Sequence, residues 1–240
     1  MEPLESIIKV MVKMRSKFKD KKLIVFDLDG TLTETKSLMD AEMSRFMSKL
    51  LAKKMVAVIG GGKYGLFKSQ LISRLQRDKN LMSRLFLFPT TATSFYRYRG
   101  GWKKVYAKTL SVAERAEIKK AFRKAFKIIG YIKPAKTYGR VIEDRGTQVT
   151  FSALGQDVVS ILGKKKGVWL KKKWRDENTP IKLKLARTMR KLLPELEVGA
   201  AGYTSVDVTR KGIDKAYGLR QIEKCLRVPI KDMLFVGDAL

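Results

Sequence analysis

The stretch "LIVFDLDGTLTE", Leu23 to Glu34, sets an apolar run of β-formers directly ahead of two aspartates, Asp27 and Asp29, and follows them with Gly30 and Thr31. Branched and aromatic residues closed by an Asp/Gly turn predict a short buried strand over 23–26. Two carboxylates at the lip of such a strand repel one another, so a positive group must offset them.

Upstream, Leu4, Ile7, Ile8, Met11, Met14 and Phe18 recur at helical spacing and predict a basic amphipathic helix packed on the protein. Downstream, residues 39–54 read as an amphipathic helix, "MVAVIGGG" (55–62) as a second buried strand entering a glycine loop, 64–80 as a helix and "RLFLFP" (84–89) as a strand. This alternation predicts a parallel α/β sheet.

From about residue 91 the style changes. "TSFYRYR" and "KKVYAK" read as strands, and Ser111 and Glu114 stand at capping-box spacing ahead of a helix to Ile129. "RVIEDRGTQVTFSAL" (140–154) reads as two strands joined through Arg145 and Gly146, and Thr179-Pro180 as a helix start. After "TSVDVTRKG" the early style returns, with a helix from about Asp214 to Leu226 and the strand "DMLFVGD" (232–238). The expected organisation is a core of residues 1–90 and 209–240 with an α+β unit, 91–208, inserted into it.

Ligands of parallel α/β sheets bind beyond the carboxyl ends of the strands, where Asp27, Gly60, Gly61 and Asp238 fall. Carboxylates ending two apolar strands suit a hard cation such as Mg2+, which also answers their repulsion. Thr31 offers hydroxyl and backbone donors to an anion, and the glycines offer N–H groups with no side chain in the way. With phosphate held there, Asp27 is placed to attack phosphorus and form an aspartyl phosphate, and Asp29 to protonate the leaving oxygen and then activate water. Lys215, opening a helix in "KGIDKAYGL", is the candidate for positive charge on the phosphoryl oxygens.

Composition narrows the chemistry. With no histidine, Ser-His and Cys-His catalysis and histidine-ligated zinc are excluded for this chain acting alone. The single cysteine, Cys225, forms no internal disulfide and reads as the apolar side of a helix. No apolar run approaches the roughly 18 residues of a membrane span, so a cytoplasmic protein with no membrane partner is expected. The 52 Lys+Arg against 23 Asp+Glu give +29, a field that favours anionic partners.

In order, "VFDLDGTLTE", "VAVIGGGK", "GIDKAYGL" and "LFVGDAL" resemble the four motifs of the haloacid dehalogenase superfamily of phosphohydrolases and phosphotransferases. The inserted segment is similar to the open-faced α/β cap of the subclass containing phosphomannomutase and sucrose-phosphate phosphatase. The resemblance implies a Rossmann-like α/β core with an α+β cap, Asp27 as nucleophile, Asp29 as general acid/base and Lys215 as the third-motif lysine. It also implies Mg2+ held by Asp27, the backbone carbonyl of Asp29 and Asp238. Ser205 and Asp207 match cap positions near the substrate, and Gln156 stands where phosphomannomutases carry an arginine for the distal phosphate. Gly60 replaces the Ser or Thr common in the second motif, which shifts the phosphate contact to backbone N–H groups. In the family the fourth motif runs on to a second acidic group, a strand and a helix, so the core is expected to be C-terminally incomplete at Leu240.

The leading expectation is a Mg2+-dependent phosphatase of a small phosphorylated metabolite, a sugar phosphate for preference. A phosphomannomutase-like phosphotransferase is the alternative within enzymes. From another class, a basic nucleic-acid-binding protein on the same scaffold would use the positive charge and stack Trp174, beside Arg175, on a base.

Overall fold

The computed structural model describes residues 20–34 and 37–237. The expected N-terminal helix and Asp238 lie outside the described residues, as does the side chain of Lys215. In chain order the main elements are β1 (Leu23–Asp27), α1 (Ala41–Leu51), β2 (Met55–Ile59), α2 (Tyr64–Gln70), α3 (Lys79–Ser83), β3 (Leu85–Phe88), β4 (Ser94–Tyr98), β5 (Trp102–Ala107), α4 (Val112–Ile129), β6 (Ile142–Asp144), β7 (Val149–Ser152), α5 (Val158–Leu162), α6 (Lys164–Leu192), β8 (Leu196–Ala201), β9 (Ser205–Arg210), α7 (Lys215–Leu226) and β10 (Met233–Val236). They divide into two units, Met1–Ala107 with Lys215–Leu240, and Lys108–Asp214.

The first unit is built on a six-stranded sheet ordered β10-β1-β2-β3-β4-β5. Its first four strands are parallel, as the strand–helix alternation requires, and β4 and β5 close it as an antiparallel hairpin. The sheet is the mixed α/β core expected from the sequence. Ile24, Phe26 and Leu28 point into a cluster with Met43 and Met47 of α1 and Phe67 of α2, while Leu23 and Val25 are equally buried on the other face. Burial on both faces explains why β1 reads as a continuous apolar run rather than an alternating one.

Two boundaries differ from the sequence reading. Residues 94–107, taken as the start of the insertion, belong to the core sheet, because β4 pairs with β3. The helix expected over 64–80 is interrupted: α2 stops at Gln70, and Asp78 caps α3 by accepting the N–H groups of Asn80 and Leu81 at 2.7 and 3.1 Å.

The second unit carries a four-stranded antiparallel sheet ordered β6-β7-β9-β8. α4 and α6 supply its core, in which Phe122, Leu185 and Met189 meet Phe151, Val206 and Val208. The expected capping box forms, with Glu114 N–H donating to Ser111 Oγ at 3.1 Å and Ser111 N–H to the Glu114 carboxylate at 2.5 Å. Pro180 does not begin a helix; it lies inside the 29-residue α6. The Asn178 and Thr179 side chains donate to the carbonyls of Trp174 and Arg175 in the turn where proline removes a backbone donor, at 3.0 and 2.7 Å. Among the described residues no helix is long and apolar enough to cross a membrane.

Candidate active site

β1 ends at the first aspartate, and the chain turns at once. Leu28 N–H donates to Asp27 Oδ1 at 2.8 Å and to Ile59 O at 3.0 Å, which fixes the carboxylate's rotation and holds the turn against the end of β2. Gly30 takes φ +90°, where a side chain would be strained, and its N–H donates to Thr33 O at 2.6 Å. Thr33 N–H and Oγ1 both return to Leu28 O, at 3.0 and 3.2 Å. Asp29 is thereby bridged to Thr33 and kept two residues from Asp27 in a stapled turn. Thr31 is 4% exposed, and its hydroxyl has no hydrogen-bond partner among the described residues. A buried, unpaired hydroxyl costs about 1–3 kcal/mol, which a ligand oxygen would offset.

Parallel pairing sets Asp27 beside Ile59, so the glycine loop that follows β2 leaves the same rim. Here the geometry corrects the sequence reading of Gly60. Its N–H continues the ladder by donating to Phe88 O at 3.3 Å and is not a donor for phosphate. Glycine is needed for space: a Cβ on residue 60 would stand 3.2 Å from Leu28 Cβ and 3.4 Å from Phe67 Cζ. Gly61 follows on the same loop.

Across from this loop the chain does something the sequence did not signal. Thr90, Thr91 and Ala92 take φ of +50°, +54° and +61°, a left-handed turn rare for β-branched residues. Thr91 N–H donates to Gly60 O and Thr90 N–H to Gly62 O, each at 3.0 Å, so this turn clamps the glycine loop from the end of β3. The buried Thr90 and Thr93 hydroxyls lie 2.6 Å apart.

Two more segments reach the rim. A Cβ on Gly218 would stand 2.4 Å from Ile59 Cδ1 and 3.9 Å from Ala92 Cβ, so the first turn of α7, which opens at Lys215, lies against the ends of β2 and β3. On the other side of β1, Phe26 pairs with Val236, and a Cβ on Gly237 would stand 3.6 Å from Asp27 Cβ. The backbone immediately ahead of Asp238 therefore runs alongside Asp27. Asp27, Asp29, Thr31, Gly60 and Gly61 share one rim, with the start of α7 beside it.

Gln156, Ser205 and Asp207 lie in the second unit. Val206 and Val208 enter its core, so Ser205 and Asp207 point to the opposite face of the sheet. The registers Glu143–Thr150, Thr150–Asp207 and Asp207–Gly199 make one row across all four strands, and Ser152–Ser205 stand in the next row on that face. Gln156 is tied to this face through Arg145, whose guanidinium donates to Gln156 Oε1 at 3.1 Å and pairs with Glu143 at 2.8 Å. Gln148 donates to Thr150 Oγ1 at 2.8 Å. Arg145, Glu143 and Thr150 escaped the sequence reading; the alternation of polar with apolar residues in "VIEDRGTQVTF" was the available signal. Trp174, proposed as a stacking platform, is 7% exposed within the apolar core of this unit, so it cannot offer a face to a base.

The sequence and the fold both have relatives. A phosphomannomutase of Encephalitozoon cuniculi is 26% identical over 221 residues, covering 91% of this chain and 80% of that protein. Among solved structures, an N-terminally truncated, IMP-bound IMP-nucleotidase of Plasmodium falciparum superposes with a TM-score of 0.64 at 14% identity, covering 95% of this chain and 62% of that one. A haloacid dehalogenase-like hydrolase from Bacteroides thetaiotaomicron gives a TM-score of 0.58 at 14% identity over 91% of this chain and 82% of that one. This chain thus spans under two thirds of the nucleotidase's length. The profile of the haloacid dehalogenase-like hydrolases matches residues 24–240, and the chain is an enzyme of that family.

Proposed function

We infer that the chain is a cytoplasmic phosphatase that hydrolyses a small phosphorylated metabolite, a sugar phosphate for preference, through a phosphoryl group carried on Asp27. The observation that supports this most is the hold on Asp27: its carboxylate is turned by Leu28 N–H at the exit of a buried strand, beside the glycine loop and the backbone of Gly237.

In the first step Asp27 Oδ bonds to phosphorus as the phosphorus–ester oxygen bond breaks, and Asp29 gives its proton to the leaving oxygen. In the second, Asp29 takes a proton from water, whose oxygen bonds to phosphorus as the Asp27–phosphorus bond breaks and inorganic phosphate leaves. Thr31 and Gly61 hold the phosphoryl oxygens together with Lys215. The all-oxygen donor set at this rim fits a hard divalent cation. Mg2+ would be held by Asp27, the backbone carbonyl of Asp29 and Asp238, and would supply positive charge that steadies the phosphoryl group. Substrate choice falls to Gln156, Ser205 and Asp207 of the second unit.

Turnover of an aryl phosphate in the presence of Mg2+ tests this. Asp29→Asn is expected to lower kcat by about 10²–10⁴-fold, the usual worth of a positioned acid/base, and to leave phosphorylated protein behind. Unchanged turnover would refute its role.

A second reading, phosphotransfer of the phosphomannomutase kind, is favoured by the relative in Encephalitozoon cuniculi and by Arg145, which brings a guanidinium to Gln156. A hexose bisphosphate separates the two: transfer of its phosphate to sugar supports the mutase, and transfer to water alone supports the phosphatase.

A further inference from the structure

We propose that the corner between α5 and α6 is a docking surface for an anionic membrane. Here the chain turns at Gly163, with φ +77°, and α5 and α6 pack so closely that a Cβ on Gly167 would stand 2.7 Å from the Val159 Cα. The corner is therefore closely packed rather than a loose loop.

Two large apolar side chains of these helices face solvent, Ile161 of α5 at 59% and Trp169 of α6 at 58% exposure. A shallow, open depression beside Trp169 is lined by Leu162, Gly163, Lys164, Lys165 and Lys166. Helical spacing sets Lys165, Lys166, Lys172 and Lys173 one turn either side of Trp169, all four exposed. Lys173 Nζ lies 5.6 Å from the indole centroid and 3.8 Å from the Glu177 carboxylate, and from Lys164 to Arg175 the helix carries no acidic residue.

An exposed tryptophan flanked along its helix by lysines, with Leu162 in the same lining, matches a planar interface: the indole enters the headgroup boundary while the ammonium groups meet lipid phosphates. Single-stranded nucleic acid fits less well. It is gripped by successive aromatic platforms along a groove, whereas the lining around Trp169 holds no second aromatic. Peripheral docking needs no spanning apolar run, so the absence of one in the sequence does not bear on it.

Co-sedimentation of the full chain with vesicles of phosphatidylcholine containing about 30% phosphatidylserine tests the surface, with pure phosphatidylcholine and single-stranded RNA alongside. Binding is expected only with the anionic vesicles and is expected to weaken as salt rises. Lys165→Gln/Lys166→Gln should lower it about thirtyfold and Trp169→Ala about tenfold, whereas Lys49→Gln/Lys53→Gln, on the last turn of α1 and just past its end, should leave it nearly unchanged. Thermal melts confirm that each variant is folded. Equal losses in both lysine pairs would mean that only diffuse charge acts, and binding of RNA but not vesicles in a Trp169-dependent way would assign the surface to nucleic acid; either result overturns the proposal.

Discussion

At the scale of single residues, the site depends on close approaches that leave no room for substitution. Gly60 packs its backbone on Leu28 and Phe67, so Gly60→Ala must push the turn after β1 outward by a few tenths of an ångström. That displacement reaches Asp27 through the Leu28 N–H bond. The variant is expected to lose about 1–2 kcal/mol in a denaturant titration and at least tenfold in kcat, since small misplacements of a nucleophile are costly. A loss of stability with kcat unchanged would separate the loop from the chemistry. The positions of Asp27, Asp29 and the glycine loop at the ends of β1 and β2 were legible because a run of β-formers ending in Asp, or in three glycines, carries its own punctuation. The capture of Gly60 N–H by Phe88, and the left-handed turn at Thr90–Ala92, were not, because ladder continuation and a backbone forced by its surroundings leave no mark in side-chain type.

Single elements are held by local devices whose worth is measurable. Asp144, at the end of β6, ties the sheet to α4 through Arg115 at 3.1 Å and Lys119 at 2.8 Å. Burial opposes its ionisation, but the Lys119 ammonium and the Gly146 N–H outweigh that and hold its carboxyl below the usual range. A group whose folded pKa is depressed adds stability above its unfolded pKa and loses it as pH falls through the folded one. The melting temperature of Asp144→Asn should therefore lie below that of the parent at pH 7, by about 1 kcal/mol of stability, and the gap should close as pH falls below the ordinary aspartate range of about 4. A gap that stays constant through that fall would deny the ion pairs their part. At this scale the Ser111–Glu114 capping box could be read directly, because its two bonds join neighbours in sequence. Pro180 misled: its usual place is a helix start, but here it lies inside α6, just after a turn in which the Asn178 and Thr179 side chains bond the carbonyls of Trp174 and Arg175.

For the whole molecule, the chain enters the second unit once and leaves it once, at residues 108 and 214, and each unit has its own apolar cluster. A segment of residues 108–214 is expected to fold alone, with a cooperative melt and the helical signal of α4 and α6; a non-cooperative melt would show that its core is incomplete without the rest. The two styles of patterning made the insertion legible. Its start was misplaced at 91 because β4 and β5, an antiparallel hairpin, look the same whether they finish one sheet or begin another. That Glu143 and Thr150 stand in one row with Asp207 was hidden, since the pairing of β7 with β9 joins strands far apart in sequence.

The central claim is that an oxygen of Asp27 bonds to phosphorus during turnover. Acid-quenching the enzyme in mid-turnover with an aryl phosphate and mapping the phosphorylated peptide by mass spectrometry tests it most directly. The label is expected on Asp27, released by hydroxylamine, enriched in Asp29→Asn and absent, together with activity, in Asp27→Asn. Turnover that survives in Asp27→Asn, or a label on another residue, would contradict it.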